Sequence, residues 1–326
     1  MPYTTQVCIV NETGRKIASM KVESSPDMIA SALREVGGVE RAVIETGRMS
    51  PAICHGLRAL DIPIVCIDAR QAHQSLKALK ANKTDPHDAA GLAQLARTGF
   101  YKEVHVKSPE AHGVRSIITT RNHLVESRVR LDNMIRGLCA TFGFKPGPGQ
   151  GKAFIDRVME AAKTPGLAQS ITALLAVRTG LTAQIKEMDR VLRELAHRSQ
   201  SCRQLMTIPG VGVQTSAAFV AAVDEVGRFR QSRTAGAYFG LVPRRHQSGE
   251  IDWTGRIAKQ GDSMVRKLLY EAANSILTRS RGSFALKGWA MKIAKRRGLR
   301  KARVALARRL AVIMHAMLRD GTLFET

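Results

Sequence analysis

The hydrophobic pattern of the chain changes twice along its length. In the first hundred residues short apolar runs alternate with helical spacings. TTQVCIV (4–10) is β-branched and apolar, NETGRK supplies a turn, and IASMKVE follows as a second strand, which together predict a hairpin. From Ser25 to Val36 the apolar positions Met28, Ile29, Leu33 and Val36 follow the period of a helix. RAVIETG (41–47) and IPIVCIDA (62–69) read as buried strands, separated by a helix over SPAICHGLRAL (50–60) with a proline near its first turn. NKTDPHDAAGLAQLAR (82–97) opens the next helix. The order β-β-α-β-α-β-α, with near-continuous apolar strands, predicts an α/β domain whose sheet is covered on both faces.

The middle of the chain is helical throughout. Ile117, Arg121, Leu124, Arg128, Leu131, Ile135 and Leu138 step alternately by four and three, as do Leu174, Arg178, Leu181, Ile185, Met188, Leu192 and Leu195. Both are heptad seams that carry arginines at core-type positions. A Pro/Gly loop, GFKPGPGQGK (143–152), joins them, so the pair forms either an antiparallel hairpin within the chain or a coiled coil between two chains. From residue 201 a third pattern begins. LMTIPGVGVQTSAAFVAAV (205–223) fits a helix-hairpin-helix, in which Gly210 and Gly212 permit a tight turn and backbone N–H groups can meet a phosphate. Near the C-terminus, KIAKRRGLRKARVALARRLAVIMHAML (292–318) combines an apolar stripe (Val304, Ala307, Leu310, Met314, Met317) with basic flanks, which predicts a helix packed into a core.

Charge alters this picture. The 326 residues carry a formal net charge of +24, distributed unevenly. Residues 1–100 hold 12 Lys/Arg and 10 Asp/Glu, whereas Ala272 to Arg319 holds 13 basic residues and no acidic one. A one-signed field spread over several helices points to a polyanionic partner, nucleic acid before a membrane surface. No apolar run approaches the ~18 residues needed to span a bilayer, and MPYTTQVCIV lacks a basic region ahead of its apolar stretch, so neither a membrane span nor a signal peptide is expected. The five cysteines (Cys8, Cys54, Cys66, Cys139, Cys202) form no C-x-x-C pair, which suits free thiols in a reducing cytoplasm and argues against a zinc ribbon.

Three carboxylates stand out. Asp85 fits an N-cap, Pro86 the first helical position and Asp88 the third, a good helix start on local grounds alone. The same spacing places both aspartates on one helix face, where they can converge on a cation. Glu45 ends a buried strand, where open α/β sheets place their ligands. Oxygen ligands of this kind suit Mg²⁺, and paired ions stabilise the attacking and leaving oxygens of a phosphoryl transfer. Asp68, at the end of the next strand, either joins them, caps its own turn or pairs with Arg70.

These motifs together resemble a known family. AVIETG (42–47), NKTDPHDAAGLAQLAR (82–97), IPGVGVQTSA (208–217) and FGLVPRRHQSGEIDWTGRIAKQGDSMVRKLLYEAA (239–273) are similar to the DEDD transposases of the insertion-sequence 110 family, RNA-guided DNA recombinases, at that family's spacing across nearly the whole chain. The resemblance implies α/β plus α architecture. A RuvC-like, RNase H-type metal-nuclease domain would span 1–108, a helical coiled-coil connector 109–200, and a mostly helical transposase domain with the helix-hairpin-helix 201–326. It implies that Glu45, Asp85 and Asp88 are the second, third and fourth acidic residues of a two-Mg²⁺ site, and that Ser248 is a nucleophile that becomes linked to DNA. It also implies a structured noncoding bridge RNA that pairs with target and donor DNA. The assembly would be a homodimer or dimer of dimers, with the serine of one protomer completing the carboxylate site of another. The implied setting is the bacterial cytoplasm, on the nucleoid when bound to DNA. The residues expected to contact nucleic acid are Lys83, Gly210, Gly212, Arg244, Arg245, Arg256, Lys259, Arg266, Lys267, Arg296, Arg297, Arg300 and Lys301.

The sequence departs from the family pattern at its start. Family members begin with a Gly-Ile/Val-Asp strand whose aspartate is the first metal ligand, and residues 1–26 contain no aspartate. The start codon is therefore set too far downstream, or the chain is a truncated copy. Besides the serine recombinase, the residues allow a carboxylate-only, junction-resolving nuclease and a nucleic-acid-binding remnant without catalysis. Trp253 reads either as a core residue or as a stacking platform.

Overall fold

A computed structural model describes residues 3–77, 84–249 and 251–325. The chain divides into two compact units, Met1–Lys107 and Ser108–Thr326.

The first unit is mixed α/β. Strands β1 (Thr4–Val10) and β2 (Lys16–Glu23) form the expected antiparallel hairpin. Helix α1 (Pro26–Glu35) follows, its first turn capped by the Ser25 hydroxyl, which accepts from the Met28 N–H at 3.2 Å. Strand β3 (Ala42–Glu45) pairs in parallel with β4 (Ile64–Ile67) through the crossover helix α2 (Ser50–Ala59). Helices α3 (Ala69–Lys77) and α4 (Asp85–Thr98) complete the unit. Ile29, Leu33, Ile53, Leu57 and Ile64 form the centre of its core.

The single covered sheet expected from the pattern is, among the described residues, two separate pairs. A cleft of about 650 Å³ is lined by β1 and β3, by Leu33 and Leu57, and by Ala89, Leu92, Ala93 and Ala96 of α4. Apolar alternation specifies which faces are buried and leaves open which strands pair, so the gap could not be read from it.

The helix opened by DPHD begins one residue earlier than expected. Thr84, not Asp85, is the N-cap, because the first intrahelical bond runs from the Asp88 N–H to the Thr84 carbonyl at 2.9 Å. Asp85 is thus the first helical residue and Asp88 the fourth, and both remain in the first turn.

The second unit is helical apart from one hairpin. Helix α5 (Pro109–Thr141) is capped by Ser108, which Asp224 holds through two hydrogen bonds of 2.8 and 2.6 Å. After the short α6 (Lys152–Ala161), α7 (Ala168–Arg198) packs back along α5. Ion pairs Arg121–Asp189 and Arg178–Asp132 show that the two helices run antiparallel within one chain, and they account for two of the three arginines in the heptad seams; the third, Arg128, donates to Gln150 Oε1 at 2.6 Å. Helices α8 (Gln200–Leu205) and α9 (Val213–Val223), a 3-10 turn (Val226–Arg228) and α10 (Arg233–Tyr238) lead to strands β5 (Pro243–Ser248) and β6 (Ile251–Ile257). Helices α11 (Ser263–Thr278), α12 (Ala285–Arg297) and α13 (Leu299–Asp320) close the unit. Four of the five residues of the predicted α13 stripe are in its core: Ala307, Leu310 and Met314 are fully buried among Phe219, Phe239 and Leu269, and Met317 is buried with them, whereas Val304 is only half-buried and lies outside that cluster. None of the five cysteines is in a disulfide, and among the described residues no helix is long and apolar enough to cross a membrane.

Candidate functional site

The carboxylates stand on adjoining elements of the first unit. Glu45, the last residue of β3, is exposed at the rim of the cleft and lies opposite Ile67 in the parallel ladder. Arg41, just ahead of β3, donates to the Ala96 carbonyl near the end of α4 at 3.3 Å. Asp85, exposed, and Asp88, half-buried, stand in the first turn of α4, at the opposite end of that helix from Ala96. Their all-oxygen chemistry suits a hard divalent cation. Among the described residues, however, no three His, Cys, Asp or Glu side chains come together as a metal-holding group. Asp68 is committed elsewhere: its Oδ1 accepts from the backbone N–H of Arg70 and Gln71 at 3.0 and 2.9 Å, capping α3.

Ser248 ends β5 at the exposed tip of the second unit's hairpin, opposite Ile251 and followed by Gly249 at φ +56°. Every residue of β5 is exposed. Arg245 grips Asp252 on the partner strand through two hydrogen bonds of 3.0 and 2.6 Å. This bond raises the guanidinium above its ordinary range and lowers the Asp252 carboxyl. The Arg245 charge is thus engaged within the hairpin, while Arg244 makes a single long hydrogen bond, 3.4 Å to the Ala258 carbonyl. Trp253 is 52% exposed, which excludes the core reading, and its ring lies parallel to His246 with centroids 5.9 Å apart.

The remaining predicted contacts fall into distinct groups. Arg256, Lys259 and Lys267 are exposed near the hairpin base and on α11, whereas Arg266 is occupied in structure, donating to the Phe239 and Gln260 carbonyls at 3.0 Å each. Arg296 and Arg297 end α12, and Arg300 and Lys301 begin α13, an exposed basic cluster at one helix junction. The α12 C-terminus also favours its cations through the helix dipole. In the helix-hairpin-helix turn, Gly210 (φ +84°) lies against α11, where an added Cβ would come within 3.0 Å of the Ala272 carbonyl, while Gly212 faces open space. Lys83 lies outside the described residues. Sequence reasoning missed the Arg245–Asp252 pairing and the His246–Trp253 stack; the only signal for them was the polar alternation of RRHQS and IDWTG about a Ser-Gly turn.

An α/β unit with carboxylates at a strand end, attached to a basic helical unit that presents a serine hairpin, suits an enzyme acting on DNA. Comparison with known proteins makes this specific. The profile of the IS116/IS110/IS902 transposase family matches residues 202–287, and a second transposase profile, of the DEDD type, matches residues 3–142. The transposase for insertion sequence element IS1111A of Coxiella burnetii is 28% identical over 319 residues, covering 96% of this chain and 86% of the relative. A probable family 20 transposase of Pseudomonas aeruginosa is 30% identical over 251 residues, 75% of this chain and 74% of its own. The pilin gene-inverting protein of Moraxella bovis is 29% identical over 150 residues, 45% of each. The protein is thus of the class of DNA-recombining enzymes. It belongs to the IS116/IS110/IS902 family of insertion-sequence transposases.

Proposed function

We propose that the chain cuts and rejoins insertion-sequence DNA with Ser248 as its nucleophile. The observation that carries this reading is the placement of Ser248: a hydroxyl at the open tip of a hairpin whose first strand is wholly exposed, with Arg244 and Arg256 exposed toward the base of the same hairpin. In the step proposed, Ser248 Oγ forms a bond to phosphorus as one sugar P–O bond breaks. The serine proton passes to water, and the freed sugar oxygen takes up a proton. The ester count is unchanged, so attack by another strand's hydroxyl in reverse restores DNA and frees the serine.

Glu45, Asp85 and Asp88 are the residues that would hold Mg²⁺, in a unit of RuvC-like type. When bound, the metal would polarise the scissile phosphate. In this reading the complete site forms in an assembly in which the serine of one protomer meets the carboxylates of another. Target choice is assigned to a structured RNA paired with DNA, held by the basic helices through its backbone. Strand exchange by the wild-type chain and by Ser248→Ala in Mg²⁺ tests the reading: it requires exchange by the former and none by the latter.

The absence of a three-carboxylate group among the described residues favours a second reading, nucleic-acid binding without cleavage. Mg²⁺-dependent exchange by the 326-residue chain excludes it.

A further inference from the structure

The hairpin that carries Ser248 has two unlike faces. Residues two apart on a strand point the same way. In the observed register, His246 opposes Trp253 and Ser248 opposes Ile251, so these four share one face. Arg245, Gln247, Asp252 and Thr254 take the other, where the Arg245–Asp252 ion pair braces the two strands. Exposed apolar side chains are thus confined to the serine's face: Ile251 is 60% exposed and Trp253 52%.

The tryptophan is held in place. Its ring lies parallel to His246, 10° between planes. Its other edge folds over Gly255, where an added Cβ would stand 2.6 Å from the ring. Any larger residue at 255 would lift the indole from the ribbon. The result is a flat aromatic plate, open to solvent, two residues along the strand from Ser248. That is about 6.8 Å along the strand, comparable to the span from a base to the phosphate beside it.

A plate of this kind in a chain of net charge +24 fits a nucleobase. Arg244, Arg256 and Lys259 stand exposed at the hairpin base to meet the backbone of the same strand. Inside a duplex both faces of a base are already stacked, so only an unpaired or flipped base can lie on the plate. We propose that the His246–Trp253 plate stacks an unpaired nucleobase adjacent to the phosphate attacked by Ser248, which makes locally opened DNA, rather than continuous duplex, the substrate of the serine. This inference deepens the serine reading above and rests on it for the identity of the phosphate. The stacking itself is measured without catalysis.

The chain has two tryptophans. Trp289, on α12 beneath Arg309, is replaced by phenylalanine so that Trp253 alone reports. The full chain is titrated with a single-stranded oligothymidine and with a duplex of equal length. The proposal expects quenching by the single strand well beyond that by the duplex. It also expects about tenfold weaker single-strand binding in Trp253→Ala, largely restored in Trp253→Phe. Equal quenching by both DNAs, or none, overturns it, as does quenching that follows protein concentration without DNA, which would make the plate a contact between copies. Ser248→Ala separates the two claims. Quenching kept with a serine–DNA adduct lost supports both. An adduct that Trp253→Ala forms on opened DNA as well as the wild type does removes the plate and leaves the serine, whereas quenching with no adduct in the wild type does the reverse.

Discussion

Arg178 Nε donates to Asp132 Oδ1 at 2.6 Å between α7 and α5, with both side chains almost wholly out of solvent. Arg178 also donates to the Gln150 carbonyl at 2.6 Å and lies over the Phe154 ring, so one guanidinium ties both helices to the connecting loop. Asp132 Oδ2 has no hydrogen-bond partner, so this pair is not fully compensated. Removing one partner leaves a buried charge. Asp132→Ala is expected to lower stability by about 3–5 kcal/mol, whereas Asp132→Leu combined with Arg178→Met is expected near neutral. Urea unfolding of the three proteins measures both.

His315 supplies a pH dependence. It is fully buried, its Nδ1 3.0 Å from the Ser232 hydroxyl and its Nε2 3.2 Å from the Val226 carbonyl. A carbonyl can only accept, so Nε2 carries the proton and Nδ1 accepts from Ser232. Burial lowers its pKa below 6.5; the Val226 hydrogen bond opposes this, and nearby Arg319 and Arg228 add to it. The unfolded chain therefore binds a proton that the folded chain refuses. The contribution is complete above about pH 6.5 and is lost as pH falls below it. Thermal unfolding between pH 7.5 and 5 should show this loss in the wild type and a smaller loss in His315→Gln.

The two glycines of the α8–α9 turn should separate packing from phosphate binding. Gly210→Ala meets both a positive φ and the Ala272 carbonyl, and is expected to destabilise the second unit by about 1–3 kcal/mol. Gly212→Ala enters open space at the α9 N-cap and is expected to cost under about 1 kcal/mol. Any DNA-binding defect at 212 without a stability change then belongs to the turn's backbone contacts.

The α12–α13 junction should dominate salt dependence. Replacing Arg296, Arg297, Arg300 and Lys301 together by alanine is expected to reduce the slope of log K against log salt by about 3–4. The loss should be similar on unrelated DNA sequences. Arg266→Ala is expected to act differently, through stability, because it holds the Phe239 and Gln260 carbonyls. Binding titrations at several salt concentrations, beside a melting curve for each variant, make the comparison.

Much of this was legible in the residues. The β1–β2 hairpin, the α5–α7 seams and the buried stripe of α13 follow from apolar period, which directly encodes which side of an element is covered. What period does not encode is the neighbour. That β1 and β3 belong to separate strand pairs, and that among the described residues Glu45, Asp85 and Asp88 close no three-ligand group, depends on long-range placement. Arg245 read as a free phosphate contact because its partner, Asp252, is seven residues away and meets it only through the hairpin register. The Trp253 plate was ambiguous for the same reason, since exposure of a lone tryptophan follows from what fails to cover it.

The central claim concerns Ser248. Wild-type chain incubated with DNA and Mg²⁺, then digested and examined by mass spectrometry, should yield a nucleotide attached to the peptide containing Ser248, and Ser248→Ala should yield neither adduct nor exchange. Strand cleavage by the wild type without that adduct, cleavage undiminished in Ser248→Ala, or no cleavage by the wild type at all would contradict the account.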